Sequence, residues 1–433
     1  MRIHKVNIIF YILLLLFVFV IGVFYDFSFD YVGISFLLSN FVILTLLLFT
    51  MKSRVNTIGF VFLFYFIFFG IAGWLQYSEN IHIWVSFIFD KDDYLWTNIL
   101  LIISYIVLFL SYKFTKDSNQ KYINLKYEKD TSLYLLYGIS FVLCLICSFI
   151  VFYDKDWNIM NLIFRGFSDD DVTTLEKGNP LWNVIVNLAR FLPMFLLLLF
   201  IDSKGIGKFL ILILVLFCAF PLGIPRFFVA YIYIPILVLL IPYFQRSLAM
   251  LGTLIVSLFI VFPFLNQFRY FDSNNGISLL SDLDFLKEGH FDAYQNLMSA
   301  IKLEFITYGY QLLAPFTFFV PRTMWADKPF GSGYAMAEKY GFSFNNISMP
   351  YFAEGYVNFG AVGMIAFSIA LGYMMKKIDT SLLKSTNSLD YGFGIFCCAW
   401  FFFMQRGDLL SSTSVAMAGV VSYLIAKRMG NLR

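Results

Sequence analysis

Arginine residues beside apolar runs are the groups in this sequence whose type and position are best suited to chemistry. Five of them are Arg190, Arg226, Arg269, Arg322 and Arg406. A permanently charged group close to hydrocarbon is costly, so such a residue is normally paired or functional. Because the guanidinium fork matches the oxygens of a phosphate group, these arginines would suit the binding of a shared anion.

Local ion pairs are the alternative explanation for these arginines. The candidate pairs are Arg406 with Asp408, Arg322 with Asp327 and Arg269 with Asp272. Both explanations are open for any one arginine. Their recurrence in distant parts of the chain, all at one predicted face of the membrane, favours two or more that share one ligand.

His290 and Glu354 are candidates for moving a proton or for orienting a substrate. His290 is the only histidine in the polar segment 267–350, and imidazole titrates in the range that suits a general base. Glu354 stands where the next apolar run begins, and a carboxylate there either takes part in chemistry or favours a helix N-terminus. The sequence does not choose between these roles.

Composition shows what kind of scaffold must position these residues. Hydrophobic residues make up 60% of the chain, with 55 Phe, while charged residues fall to 14% and the mean hydropathy is +0.76. These values lie far outside the soluble range, in which about 45–50% of residues are apolar. We therefore predict an all-α polytopic membrane protein that forms a single transmembrane domain over residues 1–433.

Apolar runs near the length of a membrane span, about 20 residues, recur along the chain. They predict about twelve spans: 7–25, 31–50, 56–76, 95–112, 131–152, 182–201, 208–222, 227–244, 248–266, 353–375, 391–405 and 409–426. Residues 267–350 form one large outer loop between the ninth and tenth spans. Within it, 305–320 is too short to cross and contains Pro315, so we expect interfacial or re-entrant helices.

Lys and Arg in the short connectors give the orientation. They collect in the connectors on the same side as both termini, for example Lys121, Lys126 and Lys129 in one connector and Lys376 and Lys377 in another. Because positive connectors remain in the cytoplasm, both termini are predicted to be cytoplasmic, and the loop 267–350 faces outward. The basic residues are scattered without interleaved aromatics, which argues against a nucleic-acid surface.

Cofactor chemistry has no support in the sequence. Five cysteines lie inside apolar runs, where packing explains them better than metal or thiolate chemistry: Cys144, Cys147, Cys218, Cys397 and Cys398. No phosphate-binding glycine loop, metalloprotease helix or nucleophile elbow stands in a suitable context. We predict neither metal nor cofactor, and a soluble nucleotide-consuming enzyme is disfavoured.

Three polar motifs around the end of the long loop resemble one known family. They are Phe319-Val320-Pro321-Arg322-Thr323-Met324-Trp325-Ala326-Asp327-Lys328-Pro329, then Ser348-x-Pro350, then Glu354-Gly355-Tyr356-Val357-Asn358-Phe359-Gly360-x-x-Gly363. Together with His290-Phe291-Asp292-Ala293-Tyr294 and Gln405-Arg406-Gly407-Asp408, they resemble the O-antigen and oligosaccharide repeat-unit polymerases, the Wzy-like family. The hydropathy plan agrees over nearly the whole chain.

The resemblance implies a metal-independent, C-type glycosyltransferase in the bacterial plasma (inner) membrane. Such an enzyme takes a glycan from undecaprenyl pyrophosphate and joins it to the terminal sugar of a second lipid-linked unit, as in O-antigen, capsule or lipopolysaccharide synthesis. Its partners would be the lipid-linked donor and acceptor, membrane lipid and a chain-length regulator protein.

That reaction would assign roles to the residues singled out above. Arg226, Arg269, Arg322 and Arg406 would bind pyrophosphate, and His290 or Glu354 would deprotonate or orient the acceptor hydroxyl. Residues of secondary interest are Arg190, Trp325, Lys328, Tyr356 and Asp408.

Two other functions compete with this one. A lipid-linked oligosaccharide flippase or other transporter predicts internal symmetry and charges at the membrane midplane, whereas the charges here collect at the predicted outer face. An O-antigen ligase shares the mechanism and differs in its acceptor, so the sequence separates it poorly from a polymerase.

Overall fold

The structure is a computed structural model that describes residues 5–51, 54–116, 132–164, 180–203, 205–261, 264 and 283–431. It is 77% helical and shows no β-strand among those residues. This confirms the predicted all-α class. The apolar sequence dictates it, because a helix satisfies its own backbone hydrogen bonds where no water is present.

The main helices are numbered here in chain order. They are α1 (Lys5–Phe24), α2 (Tyr31–Thr50), α3 (Thr57–Ser78), α4 (Lys91–Phe114), α5 (Ser132–Asp154), α6 (Pro180–Phe200), α7 (Gly207–Cys218), α8 (Arg226–Leu240), α9 (Ser247–Val261), α10 (Ala293–Lys302), α11 (Ser332–Tyr340), α12 (Tyr351–Lys384), α13 (Ser388–Met404) and α14 (Leu409–Gly430). Short helical turns at Ile159–Ile163 and Leu313–Phe316 lie between them.

Eight helices in the described ranges are long and apolar enough to cross a membrane, namely α1 to α6, α12 and α14. A multi-pass membrane protein is therefore well supported. Four further apolar helices, α7, α8, α9 and α13, are shorter. Since α7 has 12 residues, it is about 18 Å long at 1.5 Å per residue, against a hydrocarbon core of about 30 Å. The count of twelve spans stays a prediction.

The helices pack around two apolar cores that share α13. One core is formed mainly by α1 to α4, α9, α10 and α12. The other is formed by α5 to α8 and α14. Helix α13 gives one face to each core, with Ile395 and Phe402 in the first and Phe396 and Ala399 in the second. The loop that follows α13 therefore emerges where the two halves meet.

Helix α3 is the most deeply buried span, with every residue of its apolar window enclosed. Its middle turns, Tyr65–Ile71, are a π-helix, a form that is rare and often found at functional sites. The hydroxyl of Tyr65 donates a hydrogen bond of 2.7 Å to Oε1 of Gln405, just beyond α13. A buried polar bond thus ties the central span to the 405–408 loop.

Helix α12 is broken near its start, where a continuous span was predicted over 353–375. Phe359 and Gly360 leave the helical conformation, and Gly360 has a φ of 65°. Residues 351–358, which we call the stub, are fully buried, and the helix then resumes along a second limb. The limbs touch at Gly355 and Gly363, since a Cβ built on Gly363 would lie 2.0 Å from the Gly355 carbonyl oxygen.

The stub and the connectors 25–30, 79–90, 283–350 and 405–408 lie at one end of the bundle, which we call the loop end. Lys91 pairs with Asp30, Lys302 pairs with Asp93, and the Gln76 amide donates to the carbonyl of Phe291. At the opposite end Asp379 accepts hydrogen bonds from the backbone of Thr57 and the hydroxyl of Tyr112.

The contact between the two limbs of α12 predicts the effect of a single substitution. Gly363→Val would push a side chain into the Gly355 carbonyl, and overpacking of this kind costs about 1–3 kcal/mol. We expect a lower midpoint of thermal unfolding for the protein in detergent. Gly138→Ala in α5 is the control, because nothing lies within 4 Å of the added methyl group. Equal midpoints for Gly363→Val and the parent would refute the close contact.

Candidate functional site

The loop between α13 and α14 is the centre of the candidate site. Arg406 Nε donates to the carbonyl of His290 at 2.8 Å, and its Nη2 donates to the carbonyl of Gly289 at 3.2 Å. Nη2 also lies 3.7 Å from Oδ1 of Asp292. The loop is therefore fixed against the start of α10, far away in sequence. The Arg406 side chain remains 34% exposed, and its Nη1 makes no hydrogen bond within the described part of the chain.

Asp292, the partner of Arg406, is a buried junction. Its Oδ2 accepts from the indole of Trp84 at 2.9 Å and from the amide of Asn296 at 3.0 Å. Its Oδ1 accepts from the hydroxyl of Ser348 at 2.6 Å. A buried carboxylate is tolerated only when such donors surround it. Asp292 thereby joins the 79–90 connector, α10, the segment before the stub and the 405–408 loop.

Glu354 lies in the first turn of the stub and is only 1% exposed. Its Oε1 accepts from the backbone N–H of Leu409, the first residue of α14, at 2.8 Å. Its Oε2 accepts from the hydroxyl of Ser332, the first residue of α11, at 2.7 Å. An acceptor oxygen is favoured at the start of α14, because the first N–H groups of a helix lack partners within it.

Asp408 provides the second carboxylate at the start of α14. It caps the helix by accepting a hydrogen bond from the backbone N–H of Ser411 at 2.8 Å. The other oxygen touches Gly331, where an added Cβ would lie 1.8 Å away. Asp408 and Glu354 are close enough to repel each other electrostatically. A side chain at residue 331 would therefore force the Asp408 carboxylate to move.

Arg322 and Lys328 are bonded to the backbone of their own loop. Nη1 of Arg322 donates to the carbonyl of Lys328 at 2.6 Å, and its guanidinium lies 3.4 Å from the ring centroid of Phe330. The buried Lys328 ammonium donates to the carbonyls of Phe318 and Val320, each at 3.0 Å. Burial lowers the pKa of Lys328, and the nearby Arg322 guanidinium acts in the same direction. Arg322 does not pair with Asp327, the local partner considered above.

Arg226 and Arg190 lie in the second half of the bundle. Arg226 is the first residue of α8 and is half-buried. The ring of its neighbour Phe227 lies 6.3 Å from that of Phe403, three residues before Arg406. Arg190 is buried in α6, where it pairs with Asp154 at 3.4 Å and lies over the Phe228 ring. Arg269 lies outside the described residues.

The structure thus brings several predicted residues together and leaves others apart. His290, Glu354, Arg406 and Asp408 meet around the 405–408 loop. Arg322 is linked to this group only indirectly. Its guanidinium lies over the ring of Phe330, and the next residue, Gly331, touches Asp408. The His290 side chain is exposed, Trp325 is half-buried, and the buried Tyr356 points its hydroxyl at the carbonyl of Ile301.

Two polar residues of the site, Ser332 and Trp84, were not predicted as site residues, and Ser348 was noted only as part of a motif. Each acquires its role through contact with a distant carboxylate. A serine beside two glycines, Gly331 and Gly333, is the one local signal that could have drawn attention to Ser332.

Within the described ranges, no group of three or more His, Cys, Asp or Glu residues could hold a metal ion. The five cysteines are free and buried, as expected for packing residues. Comparison of the chain with protein-family models, with curated proteins and with solved structures finds no match.

The Asp292 junction predicts a large loss of stability when it is removed. Asp292→Ala would leave the Trp84, Asn296 and Ser348 donors buried without their acceptor, at a cost of about 3 kcal/mol. We expect a clear drop in the midpoint of thermal unfolding in detergent. The control is Asp327→Ala, which alters an exposed side chain and should leave the midpoint unchanged. If the two variants unfolded alike, Asp292 would not be a structural junction.

Proposed function

We propose that this protein is a polymerase of lipid-linked oligosaccharide repeat units, of the O-antigen polymerase type. It would transfer a glycan from its polyprenyl pyrophosphate onto the terminal sugar of a second lipid-linked unit. The proposal rests on the motif resemblance described above and on one structural observation. Residues from three distant segments, His290, Glu354 and Arg406 with Asp408, meet around a single loop at one end of a membrane bundle.

Cationic groups at the loop end would stabilise the leaving group of such a reaction. The bond between the sugar and pyrophosphate breaks, and negative charge develops on the leaving group. Fixed donors aimed at that charge are often the largest contribution to catalysis. The Arg406 side chain is partly exposed, and the ring of Phe227, the neighbour of Arg226, lies near that of Phe403 just before the same loop. Arg322 is less available to an anion, because its guanidinium already donates to backbone carbonyls and lies over the Phe330 ring.

The two candidates for proton transfer differ in access. A general base must reach the hydroxyl that it deprotonates. Glu354 is buried, and both of its oxygens accept hydrogen bonds from Leu409 and Ser332. The His290 side chain is exposed, and its backbone carbonyl accepts a hydrogen bond from Arg406. This difference favours His290 as the base that receives the acceptor proton and Glu354 as the residue that positions the loop.

The competing functions have less support from the structure. A flippase would need charged residues near the membrane midplane, whereas the site residues here lie at helix starts and in connectors at the loop end. A ligase would use the same donor chemistry with another acceptor. Cells that lack the protein distinguish the two: a missing polymerase leaves one repeat unit attached to the carrier glycan, and a missing ligase leaves none.

Purified protein in lipid nanodiscs should convert a lipid-linked repeat unit into polymer without nucleotide or divalent metal, because the donor already carries its leaving group. Product length on a gel measures the reaction, with chelator present throughout. A requirement for nucleotide or metal would refute the mechanism. Transfer only to a different carrier glycan would identify a ligase instead.

Substitutions in the site should separate binding from proton transfer. We expect Arg406→Ala to lower the polymerisation rate about 100-fold, as for loss of one transition-state donor, with partial recovery in Arg406→Lys. His290→Ala should lower the rate by about 100-fold or more without weakening donor binding. Lys339→Ala, an exposed cation on α11, is the matched control. Normal chain lengths in Ala variants of Arg226, Arg269, Arg322 and Arg406 would contradict the proposed anion site.

A further inference from the structure

The segment that precedes the 321–329 motif has an unusual surface. No residue between Glu304 and Arg322 carries a charge, yet several large side chains there are exposed. Tyr308 is 87% exposed and Phe316 is 74% exposed, while Met324 just beyond Arg322 is 80% exposed. An apolar surface of this kind in contact with water would be a liability, so it indicates a partner.

The backbone of this segment is irregular, and it is satisfied inside the protein. The N–H of Thr307 donates to the carbonyl of Val357, and that of Gly309 donates to the carbonyl of Asn358, both at the end of the stub. The N–H of Leu312 donates to the side-chain oxygen of Asn358 at 3.0 Å. Irregular backbone survives at membrane depth only when protein or trapped water provides its hydrogen bonds.

Two cations complete this pattern. Lys328 is buried and donates to the carbonyls of Phe318 and Val320, while Arg322 donates to those of Lys328 and, more weakly, Ala326 and Pro329. A loop that lies in water has no need of such donors, since water hydrates free carbonyls. Here both nearby positive charges are used to satisfy the backbone around an exposed apolar surface.

The same surface continues onto the lipid-facing side of a span. Phe359, at the break in α12, is exposed and packs on Gly309, where an added Cβ would lie 3.1 Å from its ring. Val362 and Ile369 follow on the second limb of α12, and both are exposed large apolar residues of a candidate membrane span. The apolar face of 308–324 is therefore an extension of a surface that must contact acyl chains.

We propose that residues 308–324 are seated in the membrane leaflet on the loop side, with Phe316 and Met324 among the acyl chains. Lys328 and Arg322 act as internal donors to the non-helical part of this segment and let it enter an apolar environment. The occupant of the surface is lipid. This inference concerns position in the bilayer and holds whether or not the protein is a polymerase.

Single-cysteine probes in nanodiscs test the position directly. An environment-sensitive fluorophore is attached to Phe316→Cys or Met324→Cys, and its quenching by brominated acyl chains and by aqueous iodide is measured. Val362→Cys gives the reference for lipid, and Asn345→Cys, which is exposed in the same loop, gives the reference for water. The native cysteines are buried, so the labelled parent protein gives the background.

We expect the probes at 316 and 324 to be quenched by brominated lipid as strongly as the probe at 362, and to resist iodide. Iodide quenching equal to that at 345 would overturn the proposal.

The role of the internal donors has its own test. Lys328→Ala in the Phe316→Cys background should expose the probe to iodide, because the Phe318 and Val320 carbonyls would then need water. Lys339→Ala is the matched control, since it removes an exposed lysine from the same loop. An unchanged probe in the Lys328 variant, with the fold intact by gel filtration, would refute the donor role.

Discussion

The hydrogen bonds of the Glu354 carboxylate hold the loop end together. One oxygen is bound by the start of α14 and the other by the start of α11, while the residue itself belongs to the stub. A buried carboxylate without such donors would be strongly destabilising. The position of Glu354 therefore fixes where α14 begins, and hence where Asp408 and Arg406 stand. The contacts of Arg406 with His290 and Asp292 follow from that placement.

The same constraint explains the broken helix. The stub ends at Asn358, and its last carbonyls are bound by N–H groups of Thr307 and Gly309 instead of by further helix. Gly360 takes a left-handed conformation that glycine adopts without strain, which lets the chain turn. The close contact of Gly355 with Gly363 then packs one limb on the other. The residues of the Glu354 motif therefore have a structural role in forming this turn, and not only a role in the proposed reaction.

Hydropathy predicted the all-α class and the long apolar helices, because membrane helices are specified by local composition. The break in α12 was not predicted, since apolar content continues through it and only Gly360 marks the place. Side-chain partners were predicted poorly. Asp408 was considered for Arg406, whereas Asp292 lies beside it, and Asp327 was considered for Arg322, which binds backbone carbonyls instead. Neighbours in sequence gave the wrong partners because the loops meet residues from distant segments.

These partners also bear on where an anion would be held in the proposed reaction. The N–H groups of Leu409 and Ser411 at the start of α14 already donate to Glu354 and Asp408, so this helix end has few donors left for a phosphate. Helix α8 differs, because Pro225 offers no side-chain cap and no acidic residue stands in its first turn. Arg226 at that helix start carries a formal positive charge. In the proposed reaction, Arg226 and the exposed part of Arg406 are therefore better candidates for binding pyrophosphate than Arg322, whose guanidinium already donates to backbone carbonyls and lies over the Phe330 ring.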